Sequence, residues 1–135
     1  MEKIGIIGSG TWGTAIAVLL VNNGHEVTLW SAIPAEIEEM AKTRTHKNLP
    51  GVTLPEGLVY TADLEKAMAD KDLLVMAVPS VFVRSTAQKM KPFCKDGQLI
   101  VDVAKGIEEN TLDTMTQIIK EELPMAETAV LSGPS

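Results

Sequence analysis

Short unbroken apolar runs recur along the chain, and longer mixed stretches separate them. "KIGIIG" (3–8), "EVTLW" (26–30), "DLLVMAVP" (72–79) and "QLIVDVA" (98–104) read as buried strands. "LVYT" (58–61) and "TAVLSG" (128–133) read as shorter ones. Between them, residues 11–22 predict a buried helix closed by "NNG", with Gly24 beyond its last turn. "IPAEIEEMAKTR" (33–44) predicts a second helix, with Pro34 and acidic residues at its start. Asp63 predicts an N-cap for "LEKAMAD" (64–70), and Ser80 one for "VFVRSTAQKMK" (81–91). "NTLDTMTQIIKEEL" (110–123) predicts the last helix. Strand and helix alternate throughout, so the expected fold is α/β: a doubly wound, mostly parallel sheet with helices on both faces.

Composition narrows the partners. The 135 residues suffice for one domain, and 45% apolar against 22% charged residues fits a globular chain. A net charge of −6 argues against nucleic acid or an anionic membrane surface as partner. Any anion must be held by local features. Cys94 is the sole cysteine, which excludes an intrachain disulfide and fits a reducing cytoplasm. His25 and His46 lack metal-site spacing. "AIAVLLV" (15–21) falls far short of a membrane span, and "KIGIIG" is too short for a signal peptide.

The chemistry concentrates in "GSGTWG". Gly8, Gly10 and Gly13 form G-x-G-x-x-G between a strand and a helix, the context that gives this motif meaning. Gly8 is expected to make the turn, Gly10 to admit a pyrophosphate and Gly13 to let helix pack on strand. Helix-start amides would then hold the anion without a basic side chain. Trp12 either packs beneath the loop or walls a cofactor groove. The ribose-reading acid expected at the end of the second strand is missing: Ser31, Ala32 and Ile33 stand there. Ser31 can hydrogen-bond either NAD or NADP, so discrimination is expected to be modest. Arg44 is the first suspect should a group elsewhere read the ribose.

Ligands of such sheets bind beyond the carboxyl ends of the strands. Phe82, after "VPS", either joins the core or flanks a nicotinamide. Lys105, before Gly106, is either a solvated lysine or a cation facing the crevice. "SGPS" brings Ser132 and Ser135 hydroxyls to the same rim.

Taken in order, "GSGTWGTA", "NGHEVTLW", "LPGVTLP", "VPS", "AKGIE" and "LSGPS" resemble the bacterial NAD(P)-dependent glycerol-3-phosphate dehydrogenases over all 135 residues. The resemblance implies a Rossmann domain at 1–135 that continues past "SGPS" into an all-helical substrate domain. It implies cofactor contacts at Gly8, Ser9, Gly10, Thr11, Trp12 and Gly13, an aromatic near the nicotinamide at Phe82, and substrate contacts at Lys105, Gly133 and Ser135. Lys105 also lies beside the cofactor, whereas the principal proton-transferring lysine belongs to the helical domain. The implied partner is a small phosphorylated substrate, dihydroxyacetone phosphate or glycerol 3-phosphate, and a homodimer of the full-length protein is compatible with the family. Ala32 and Ile33 replace the His or Arg of many bacterial relatives, against a strict NADP preference. Two other readings are a two-domain reductase of a small acid or acyl-CoA, and a non-catalytic dinucleotide-sensing module.

Overall fold

A computed structural model describes residues 1–109 and 111–130. Six strands alternate with five helices in chain order: β1 (Lys3–Ile7), α1 (Thr11–Asn22), β2 (Glu26–Trp30), α2 (Pro34–Thr43), β3 (Val59–Thr61), α3 (Leu64–Met68), β4 (Leu73–Met76), α4 (Val83–Met90), β5 (Leu99–Asp102), α5 (Met115–Glu122) and β6 (Glu127–Val130). The strands form one sheet in the order β3-β2-β1-β4-β5-β6, and every pairing is parallel. The order reverses between β1 and β4. Ligand crevices open at such a switch.

Strand alternation builds two cores. Ile4, Ile6, Val27, Leu29 and Val75 face α1 and α2, packing with Ala17 and Met40. Ile7, Trp30, Leu74 and Met76 point to the opposite face, against Ala67, Val83, Ala87, Met90, Ile118 and Ile119 of α3, α4 and α5. Helices therefore cover both faces, and the continuous apolar strands follow from being buried twice.

Local signals set most boundaries. Beyond α1, Gly24 (φ 91°) turns left-handed; its amide donates to Val21 O and that of His25 to Leu20 O, a complete Schellman motif. Pro34 occupies the first turn of α2. Asp63 caps α3, accepting from the amides of Glu65 and Lys66 at 3.0 and 3.4 Å.

Two expectations fail. Ser80 caps nothing: Ser80–Phe82 form a 3-10 turn, and α4 starts after Phe82 without a side-chain cap. Pro79 sets this turn, since the Phe82 amide bonds back to its carbonyl. The last helix starts not near residue 110 but at Met115, where Thr114 and Gln117 form a capping box. The chain before it makes a loop closed by an antiparallel bridge between Ile107 and Thr114.

Gly5, in the middle of β1, allows α3 to approach. A Cβ there would lie 2.3 Å from Ala67 O and 2.9 Å from Leu74 Cδ2. Gly5→Ala is expected to destabilise the fold by about 1–3 kcal/mol through overpacking, read as a lowered chemical-denaturation midpoint. An unchanged midpoint would mean that α3 moves away at no cost.

Candidate functional site

At the switch point the chain leaves β1 through the glycine loop. Gly8 has φ 130°, and a Cβ on it would sit 2.6 Å from Ala77 C and Val78 N. The loop thus lies directly against the end of β4. Gly13 is tighter still: its Cβ would meet Gly8 O at 2.2 Å. Around Gly10 nothing lies within 4 Å of a Cβ. Two glycines close the packing, and the middle one leaves open space at the helix mouth.

Gly10 is the N-cap of α1 and has no side-chain cap bond. The first intrahelical bond runs from Thr14 N to Gly10 O at 3.0 Å. Among the described residues, the amides of Thr11, Trp12 and Gly13 have no partner. Three uncapped donors and the positive end of a 12-residue helix face this opening, an arrangement that attracts an anion.

Ser9 is the buried keystone of the loop. Its carbonyl accepts from Thr14 Oγ1 at 3.0 Å. The Asn48 amide donates to Nδ1 of buried His46 at 3.1 Å, which leaves Nε2–H to donate to Ser9 O at 2.9 Å. Ser9 Oγ donates to Glu36 Oε1, in the first turn of α2, at 2.5 Å. Sequence reading passed over Glu36 and His46. The only hint in the sequence was an acid in the first turn after a strand end that lacks one.

Trp12 is 76% exposed and Phe82 55%, so neither packs into the core and both present aromatic surface at the rim. Ser31 is buried, and its Oγ accepts from the Ile33 amide at 3.1 Å. Arg44 is tied up at the far end of α2, donating to Leu54 O at 3.0 Å and lying 3.6 Å from Glu56. Lys105 is exposed just past β5. The β1 and β5 ends are two strand spacings apart, about 10 Å, with the β4 end between them. The structure therefore gathers Gly8–Gly13, Phe82 and Lys105 along one edge of the sheet. Ser132, Gly133 and Ser135 lie outside the described residues.

The loop that carries Lys105 is anchored at both ends. Asp102, buried at the end of β5, accepts from the Ala104 amide at 2.8 Å and from Thr116 at 3.2 Å. Burial pushes its carboxyl up, against these two bonds. Further on, the Arg84 guanidinium binds Glu108 through Nε at 2.8 Å, Glu122 at 2.6 Å, Glu121 at 3.0 Å and Asp113 at 3.4 Å. One cation thus joins α4, the 103–114 loop and the end of α5. Hydrogen bonds from Arg84 and then Thr111 hold Glu108 below the usual carboxylate range. A lowered carboxyl contributes stability above its unfolded pKa and loses it as pH falls through the folded value. Arg84→Met is expected to lower the melting temperature at neutral pH and to flatten its decline towards acid, followed by thermal melts across pH. Parallel curves for the two proteins would show that the cluster is only surface charge. In the glycine loop, Gly13→Ala is expected to unfold or shift α1, whereas Gly10→Ala should keep the native melt, checked by circular dichroism; equal losses would contradict the open space at Gly10.

Comparison with known proteins agrees with this geometry. The model of the NAD-dependent glycerol-3-phosphate dehydrogenase N-terminus matches residues 3–135. The chain is 53% identical to a glycerol-3-phosphate dehydrogenase [NAD(P)+] of Agathobacter rectalis, over 100% of this chain and 40% of that one. It is 54% identical to a second such enzyme of Lactobacillus delbrueckii subsp. bulgaricus, over 91% and 36%. The chain thus spans about two fifths of the length of these relatives. The crystal structure of the glycerol-3-phosphate dehydrogenase of Coxiella burnetii superposes with a TM-score of 0.90 at 30% identity, covering 98% of this chain and 41% of that one. The chain belongs to the family of NAD-dependent glycerol-3-phosphate dehydrogenase N-terminal domains.

Proposed function

We propose that this chain is the dinucleotide-binding domain of an oxidoreductase that interconverts dihydroxyacetone phosphate and sn-glycerol 3-phosphate with NAD or NADP. The observation that carries the reading is the uncapped helix start at Gly10, open where a Cβ would point and closed on both sides by Gly8 and Gly13. The residues fit the group: backbone amides of Thr11, Trp12 and Gly13 would hold the pyrophosphate without any cationic side chain. Ser9 fixes the loop from beneath. Trp12 and Phe82 supply flat, exposed surface on either side of the switch point.

The bound nicotinamide supplies hydride transfer, and the protein supplies orientation and electrostatics. Lys105 places an ammonium at the β5 end, where it would stabilise substrate phosphate and the oxygen that gains charge during reduction. Gly133 and Ser135 would add substrate contacts at the same rim, as the family resemblance implies. The principal proton-transferring group and the phosphate grip are expected in a following helical domain. The relatives' additional length leaves room for one. The substrate is soluble, and no helix among the described residues is long and apolar enough to cross a membrane.

The chain alone is expected to bind reduced dinucleotide weakly, detected by calorimetric titration, and to turn nothing over. Absence of binding at millimolar cofactor would reject the dinucleotide reading. Lys105→Met, made in the chain joined to the remainder of the full-length enzyme, keeps the stem and removes the charge. It is expected to leave melting point and cofactor binding near normal while lowering kcat/KM by about 10²–10³, the usual cost of removing one preorganised charge. Near-wild-type kinetics would make Lys105 a surface residue. A full-length protein that binds cofactor yet reduces no dihydroxyacetone phosphate would favour a sensing module.

A further inference from the structure

We infer that Glu36 takes the place of the missing strand-end acid, reads the adenosine ribose and makes the site select NAD over NADP. The inference rests on the dinucleotide reading above. A free ribose diol is normally recognised by a carboxylate at the end of the second strand, and residues 31–33 supply none. Ser31 is buried, and its hydroxyl oxygen already accepts from the Ile33 amide. Arg44 follows the last residue of α2, a helix of ten residues and so about 15 Å long. Its guanidinium is held there by Leu54 and Glu56. Neither side chain offers the ribose a carboxylate, and Arg44 stands at the far end of α2.

Glu36 offers one. It lies in the first turn of α2, half-buried, and its Oε1 accepts from Ser9 Oγ at 2.5 Å. Ser9 is the middle residue of the first Gly-x-Gly, so this bond brings the carboxylate to the glycine loop itself. Oε2 has no hydrogen-bond partner among the described residues. A carboxylate with one oxygen fixed and one free is a strong acceptor for a ribose hydroxyl. The same oxygen facing a 2′-phosphate would set like charges together in a partly desolvated corner, which costs affinity. His46 commits Nε2–H to Ser9 O, and Lys47 lines, together with Glu36, a cavity of about 380 Å³. Lys47 is the one rival reader, and it would favour the opposite cofactor.

Calorimetric titration of the 135-residue chain with NADH and NADPH decides the matter. The unaltered chain is expected to bind NADH at least about tenfold more tightly, a factor of ten in Kd being readily resolved. Glu36→Gln keeps an acceptor for Ser9 Oγ and removes the charge; it is expected to weaken NADH, strengthen NADPH and bring the two within about threefold. Glu38→Gln removes an equal charge from the exposed side of the same helix and is expected to leave the ratio where it was. Thermal melts of both variants should coincide with that of the parent. Tighter binding of NADPH by the unaltered chain overturns the inference in favour of Lys47. An unmoved ratio in Glu36→Gln, or an equal movement in Glu38→Gln, overturns it while leaving dinucleotide binding intact. If neither cofactor binds, the dinucleotide reading falls and the inference with it.

Discussion

Everything at the functional edge depends on one close approach. The Cα of Gly13 lies so near the carbonyl of Gly8 that a single methyl group would overlap it. That contact brings the first turn of α1 down onto the end of β1. Gly8 in turn presses against the backbone of Ala77 and Val78, so the helix, the switch point and the exit of β4 form one rigid corner. The corner explains how a chain of net charge −6 can offer an anion site. A helix start contributes about 0.3–1 kcal/mol at an exposed position and up to ~2 kcal/mol where solvent is partly excluded. Each added amide donor to a charged acceptor contributes about 1.5–3 kcal/mol. Three free amides outweigh a diffuse repulsion that salt screens within about 8 Å.

Beneath that corner lies a second layer of control. Ser9 receives the α1 hydroxyl of Thr14 and the His46 ring on its carbonyl, and gives its own hydroxyl to Glu36. The loop is therefore fixed from α1, from α2 and from the segment after α2. A ligand meets donors already aimed, and little ordering remains to oppose binding. The Lys105 side of the rim uses different means for the same end. There Asp102 sets the first turn of the loop and Arg84 gathers its far half.

What the sequence shows and what it hides divide along contact range. The Schellman end of α1, the Pro34 start of α2 and the Asp63 cap of α3 each depend on residues within one turn of each other, so their residue types announce them. The doubly wound parallel sheet followed from the alternation of strand and helix, whereas the strand order is seen only in the structure. Ser80 misled for a local reason: a plausible cap stood beside a plausible run, and the Pro79 turn took it instead. The Thr114–Gln117 box that starts α5 lies within the run expected to be helical from residue 110, and its residue types are those of a capping box. Of the partners that brace the site, only the acid at the start of α2 left a trace in the sequence. Glu36 and His46 reach Ser9 across 27 and 37 residues, and Arg84 finds its carboxylates 24 to 38 residues away. No periodicity marks such pairs, because the sheet alone makes them neighbours.

The distribution of charge follows from this. Four carboxylates converge on one arginine at the α4–α5 side, Glu108 and Asp113 from the loop and Glu121 and Glu122 from α5, so part of the chain's acidity is spent on fixing that loop. Lys105, in the same loop, makes no ion pair among the described residues. A cation that is to meet an incoming phosphate, the role proposed for Lys105, must not be neutralised by its own scaffold. Arg84 serves that need by occupying the nearby carboxylates of Glu108 and Asp113 in the Lys105 loop itself. The guanidinium fork can bind several carboxylates at once, which an ammonium cannot do with the same geometry. Arg84 on α4 and the exposed Lys105 of the loop it braces are thus kept apart, and four of the acids that look unfavourable for an anionic ligand are held by Arg84.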